Sequence, residues 1–183
     1  MNAKQLRVTR PTEEELVKIQ RKPIRIILDN VLDTYNIGSI FRLADAVAAT
    51  ELILCGGSET PPSSRIHKAA VGTEEWVKWR YFATAAEAIT NLRAQNPNIK
   101  VIAVEQDERA ISITSLTSPL TPLLSLGEGD GVAVAVVVGH ETEGVTKEVL
   151  DLVDVIVEIP MWGVNKSLNV VVSTAIALYK ILQ

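Results

Sequence analysis

Apolar residues along this chain come in two rhythms. Nearly continuous runs within 24–28, 51–54, 100–105, 132–138 and 154–159 alternate with stretches where apolar positions recur every three or four residues. Runs of this length predict strands buried on both faces, and the longer period predicts amphipathic helices. A further strand is expected at 76–81. Helices are expected at 36–49, 84–95, 146–152 and through the C-terminus, with one helical turn at 65–70. Before them, Thr12-Glu13-Glu14-Glu15 has the spacing of a capping box and predicts a short N-terminal helix ending near Lys22-Pro23. Segments 29–35 and 58–64 read as loops, and 106–131, with Pro119 and Pro122, as irregular. Strands alternating with helices define an α/β fold: a mostly parallel sheet with helices on both faces. We divide the chain into an N-terminal extension with a short basic helix, 1–23, and one main domain, 24–183.

The last stretch is the richest in candidate chemistry. A strand ending at Ile159 is stopped by Pro160, which has no N–H to give to a ladder. A loop with Gly163 and Asn165 follows, and Ser167 stands where a helix N-cap is expected. Leu168, Val172, Ala175, Ile176 and Tyr179 then form one apolar stripe. Two other loops fall at the carboxyl ends of strands, where α/β sheets bind ligands. One holds Asn30 and leads into Asn36-Ile37-Gly38-Ser39-Ile40-Phe41-Arg42. There Asn36 is the expected cap, Gly38 allows close approach of a ligand, and Arg42 offers a planar fork to a phosphate. The other is Gly139-His140-Glu141-Thr142-Glu143-Gly144, a polar turn bracketed by glycines directly after the most apolar strand.

Composition narrows the classes. The 183 residues, 47% hydrophobic, suffice for one domain with a real core. No apolar run reaches membrane-spanning length, and residues 1–5 lack the apolar region of a signal peptide. A single cysteine, Cys55, allows no internal disulfide and no cysteine-cluster metal site. A cytoplasmic protein is expected. Charge is uneven: residues 1–80 carry 12 Lys and Arg against 10 Asp and Glu, and residues 81–183 carry 6 against 12. A local basic face for a polyanion and an ordinary solvated surface both fit that distribution.

Several familiar sites are missing from the sequence. Gly127-Glu128-Gly129-Asp130-Gly131 precedes a strand rather than a helix, which excludes a dinucleotide fingerprint, and there is no P-loop sequence. The His140-Glu141 pair lacks the second histidine of a zinc helix, since Gly144 occupies that place, and no metal is expected. Ser167 has only His67 and His140 as imidazole partners and no nucleophile-elbow context, which argues against a hydrolase triad. The residues by themselves give a small-molecule site between three loops, beside an arginine suited to phosphate.

The three motifs together carry a resemblance. N-x-G-x-x-x-R after the first strand, G-H-E-T-E-G after the apolar strand and I-P-M-x-G-x-x-x-S-L-N-V near the C-terminus resemble, in this order, the TrmH/SpoU family over about residues 24 to 183. That family comprises ribose 2′-O-methyltransferases of the SPOUT superfamily, which use S-adenosyl-L-methionine on RNA. The resemblance implies a C-terminal deep trefoil knot, a departure from the usual absence of knots. It implies a methyl-donor pocket formed by Gly139, Glu141, Ile159, Met161 and Leu168. It also implies a homodimer, with the terminal helix in its interface and the site completed at the dimer contact. By matched position, Arg42, Asn36, Ser167 and Asn169 are the catalytic set. Arg42 is expected to bind phosphate and stabilise the developing alkoxide, because a guanidinium stays protonated and makes a poor base. RNA contacts are expected from the basic N-terminal helix and from Arg25, Arg65, His67 and Lys68, with tRNA favoured over rRNA. His140 stands where many relatives carry Asn. The alternative is a knotted RNA-binding or assembly factor without turnover; intact Arg42, Ser167 and Asn169 speak against it.

Overall fold

The computed structural model describes residues 10–116 and 133–183. Among the described residues are seven strands, five of them on the apolar runs: β1 (Lys22–Asp29), β2 (Ala49–Cys55), β3 (Trp79–Phe82), β4 (Lys100–Val104), β5 (Ile111–Ser112), β6 (Val134–Gly139) and β7 (Val155–Glu158). They pair in the order β3-β2-β1-β6-β4-β7-β5, every neighbour parallel. The helices are α1 (Glu13–Val17), α2 (Thr34–Ala46), α3 (Ser64–Ala70), α4 (Ala85–Gln95), α5 (Lys147–Leu150) and α6 (Val170–Ile181).

The central strands feed two cores because successive side chains point to opposite faces. Ile24, Ile26 and Leu28 of β1 join Val134, Val136 and Val138 of β6, Phe41 of α2 and Leu178 of α6. Ile27 of β1 lies in the opposite core with Ala135 and Val137 of β6, Ile89 of α4 and Val149 of α5. The α/β layering expected from the apolar runs is therefore present. Burial pushes the Cys55 thiol up to about 12, with nearby Asp29 and Glu87 adding to it, so the lone cysteine is an inert core residue.

The element ends differ from the sequence expectation where a side chain chooses between caps. Asp33, not Asn36, caps α2, accepting from Tyr35 N–H at 2.7 Å, and the helix stops at Ala46. Asn169, not Ser167, caps α6, accepting from Val171 N–H at 2.8 Å. The strand expected at 76–81 begins only at Trp79, because Thr73–Glu75 forms a tight turn and the Trp76 indole donates to Asp45 at 2.8 Å. The Thr12–Glu15 capping box forms, but α1 holds three glutamates and no base in its last turn, so the short helix itself is not basic. Residue 23, the expected domain boundary, falls inside β1. Within the segment expected to be irregular, β5 pairs with β7; Pro119, Pro122 and the 127–131 glycines lie outside the described residues.

Gly38 also has a different use. A Cβ there would lie 2.6 Å from both the Ile66 carbonyl oxygen and the Ala69 Cβ. Its missing side chain lets α3 pack onto α2 and leaves no room there for a ligand.

Candidate functional site

The carboxyl ends of β4, β6 and β7 and the loop leading into α6 enclose a pocket of about 560 Å³, a size ordinary for a small-molecule site. After β6 the chain makes a turn closed by an antiparallel bridge: His140 N–H donates to the Gly144 carbonyl at 3.0 Å, and Gly144 N–H donates to the His140 carbonyl at 2.9 Å. Both glycines are sterically required. A Cβ on Gly139 would come within 2.1 Å of Gly144 backbone, and Gly144 itself has φ +73°. His140 Nδ1 accepts from the N–H groups of Thr142 at 3.0 Å and Glu143 at 3.1 Å. In this geometry the ring acts as an acceptor that closes the turn, a task an Asn amide oxygen could also perform.

Glu141 reaches from this turn to the loop after β1. Its carboxylate accepts from Leu32 N–H at 3.2 Å, Asp33 N–H at 3.1 Å and the Asn36 amide at 2.9 Å. Partial burial pushes the carboxyl up, but the bond from Asn36 and those from backbone N–H groups outweigh it and hold Glu141 below its ordinary value. Asn36 is buried, and its amide oxygen accepts from Asn169 at 3.1 Å. A continuous chain of hydrogen bonds thus runs from the β6 turn through α2 to the cap of α6. Elsewhere, Glu105 accepts from Val145 N–H at 2.8 Å and Asp29 from Thr146 N–H at 2.8 Å, anchoring the chain that leaves the turn. Gln106 donates to the Lys166 carbonyl, tying the loop after β7 to the end of β4.

The five residues expected to form the donor pocket, Gly139, Glu141, Ile159, Met161 and Leu168, all line it, as do Ser167 and Asn169. Asn36 does not. Both ends of its amide are engaged, donating to Glu141 and accepting from Asn169, so that Asn36 braces the β6 turn against the α6 cap. Arg42 is exposed on α2, one turn beyond Gly38, and is not part of the pocket lining. Of the expected RNA contacts, Arg65 and Lys68 are exposed on α3. Arg25 donates to Glu51 at 3.0 Å across the β1–β2 register, and Arg80 pairs with the same carboxylate. His67 is exposed but bonded to Glu74 at 2.5 Å.

Glu105, Gln106 and Glu158 line the pocket and went unnamed in the sequence. The available signal was their place, polar residues where apolar strands end. The lining contains three carboxylates, Glu105, Glu141 and Glu158, and no lysine or arginine among the described residues.

Known proteins bear on this arrangement. The chain is 29% identical over 171 residues to the 23S rRNA (guanosine-2′-O-)-methyltransferase RlmB of Haemophilus influenzae; the match spans 93% of this chain but only 63% of that protein's length. It is 28% identical over 167 residues to the tRNA (guanosine(18)-2′-O)-methyltransferase of Thermus thermophilus, spanning 91% of this chain and 78% of that one. The AdoMet-bound rRNA methyltransferase of Sinorhizobium meliloti shares the fold with a TM-score of 0.72 at 24% identity, over 96% of this chain and 59% of that one. The SpoU rRNA Methylase family model matches residues 23–179, from the first strand through most of α6, and the chain belongs to that family.

Proposed function

We propose that this chain is an S-adenosyl-L-methionine-dependent RNA ribose 2′-O-methyltransferase that works as a homodimer. The observation that carries the reading is the pocket, where the second and third motifs meet and which the first motif braces through Asn36. Its chemistry fits the donor. Glu105 and Glu141 are engaged by backbone N–H groups and Asn36, which leaves Glu158 as the lining carboxylate to face a cationic group of the ligand, and Val138, Ile159, Met161 and Leu168 offer apolar wall to its base. Bound there, the donor would supply a methyl group on a cationic sulfur: attack by a ribose 2′-oxygen would form the O–C bond as the C–S bond breaks, leaving a neutral thioether and releasing the hydroxyl proton to solvent.

The chain's own residues then have distinct tasks. The β6 turn presents backbone polar groups held in place by His140 and Glu141. Ser167, exposed at the pocket, orients the ribose. Arg42 binds the neighbouring phosphate and stabilises charge developing on the 2′-oxygen. Because Arg42 lies outside the pocket of its own chain, it acts at the pocket of a second copy. Val172, Ile176 and Tyr179 along α6 are all exposed, an apolar face that a second copy would cover. We assign the C-terminal trefoil knot to the segment from the loop after β7 through α6, which is tied to Gln106 and to Asn36. In-line transfer to a hydroxyl aligned in this way requires no metal.

Exposed Arg65 and Lys68 supply phosphate contacts. We place the enzyme in the cytoplasm and take tRNA over rRNA as its substrate; relatives named for each RNA match the chain. Labelled methyl transfer to size-fractionated RNA from a strain lacking the gene tests this. Label as 2′-O-methylribose in tRNA supports it, label in rRNA keeps the reaction and overturns the substrate, and donor binding without label overturns the activity.

A further inference from the structure

A second group of side chains lies apart from the donor pocket. His67 on α3 and Glu74 and Glu75 on the following turn each offer a ligand atom, all within 4.8 Å of one another. None of the three lines the donor pocket. They border a cleft that also includes Ser63 and Trp79.

Glu74 is the informative member. Its side chain is only 8% exposed, and its Oε2 is buried without a hydrogen-bond partner among the described residues. Its other oxygen meets His67 Nδ1 at 2.5 Å. A buried carboxylate oxygen normally has a partner, and an orphan beside an imidazole and a second carboxylate marks a place for an ion. The frame is well held. Val71 at φ 57° and Gly72 at φ 90° reverse the chain, Thr73 Oγ1 donates to the Ala70 carbonyl at 2.9 Å, and the Trp76 indole ties the turn to α2.

We propose that His67, Glu74 and Glu75 form a divalent metal site, with zinc the preferred occupant and remaining positions open to water. One imidazole nitrogen with two carboxylates suits zinc better than magnesium or calcium, which favour all-oxygen shells. Metal binding replaces the His67–Glu74 hydrogen bond and draws Glu75 from its exposed pair with Arg10. The ion fastens α3, which carries Arg65 and Lys68, to the turn that follows it. This inference does not depend on the methyltransferase reading.

The test uses the full chain freed of metal. Zn²⁺ binding is followed by calorimetry, and Co²⁺ binding by its visible absorption. One ion per chain is expected, with affinity reduced at least about tenfold in His67→Ala, Glu74→Gln and the more exposed Glu75→Gln. Circular dichroism verifies that each variant is folded. With only two histidines in the chain, His140→Asn is the control and should leave binding unchanged. Absence of saturable binding, wild-type affinity in folded His67→Ala and Glu75→Gln, or loss in His140→Asn would each overturn the assignment.

Discussion

Asn36 is the joint through which the three motif segments are held together, so replacing it tests the site's construction directly. Asn36→Ala removes the bond to the Glu141 carboxylate at 2.9 Å and the bond from Asn169 at 3.1 Å. A hydrogen bond to a charged group is worth about 1.5–3 kcal/mol and a neutral one about 0.5–1.5 kcal/mol. Glu141 keeps its two backbone donors and is open to water, so the low end applies, a loss of about 2 kcal/mol. For a chain of this size that lowers Tm by about 4–8 °C. Asn36→Asp is nearly isosteric and keeps an acceptor for Asn169, yet sets a second carboxylate against Glu141. If the geometry is as described, Asp costs more than Ala near neutral pH, the reverse of what side-chain size alone predicts. Urea unfolding with donor titration by calorimetry reads both effects, and donor affinity should fall because the α6 cap loses its brace. Wild-type stability in Asn36→Ala, or an Asp variant as stable as wild type, would refute the bracing role.

Gly139→Ala drives a methyl into Gly144 backbone and should abolish donor binding in calorimetry. Glu141 is held below its ordinary value, so its contribution to stability is fully present above the unfolded carboxylate pKa and lost as pH falls through the lower folded value; Glu141→Gln should flatten that part of the acid limb in urea titrations. Arg42→Ala should eliminate methyl transfer while leaving donor affinity nearly unchanged, and normal turnover would remove Arg42 from the mechanism. Ile176→Glu places a charge on the exposed face of α6 and should shift the protein to monomer in light scattering, with transfer lost as well.

The sequence alone determined the layered architecture, because strands buried on both faces must be apolar throughout, as Val134–Gly139 is. It also pointed to the turn after β6 and the loop before α6 through their motifs, and a Cβ on Gly139 would indeed meet Gly144 backbone. Cap identity was beyond it. Ser167 and Asn169 both carry suitable oxygens, and only the direction of the chain leaving the loop selects Asn169. The ion pair of Arg25 was also beyond the sequence: the parallel register sets Arg25 beside Glu51, a pairing made by strands that the intervening helix α2 separates along the chain. The link from Glu141 through Asn36 to Asn169 spans separations of 105 and 133 positions. Hydrogen bonds depend on distances of a few tenths of an ångström, and only the strand order and packed helices bring such distant groups that close.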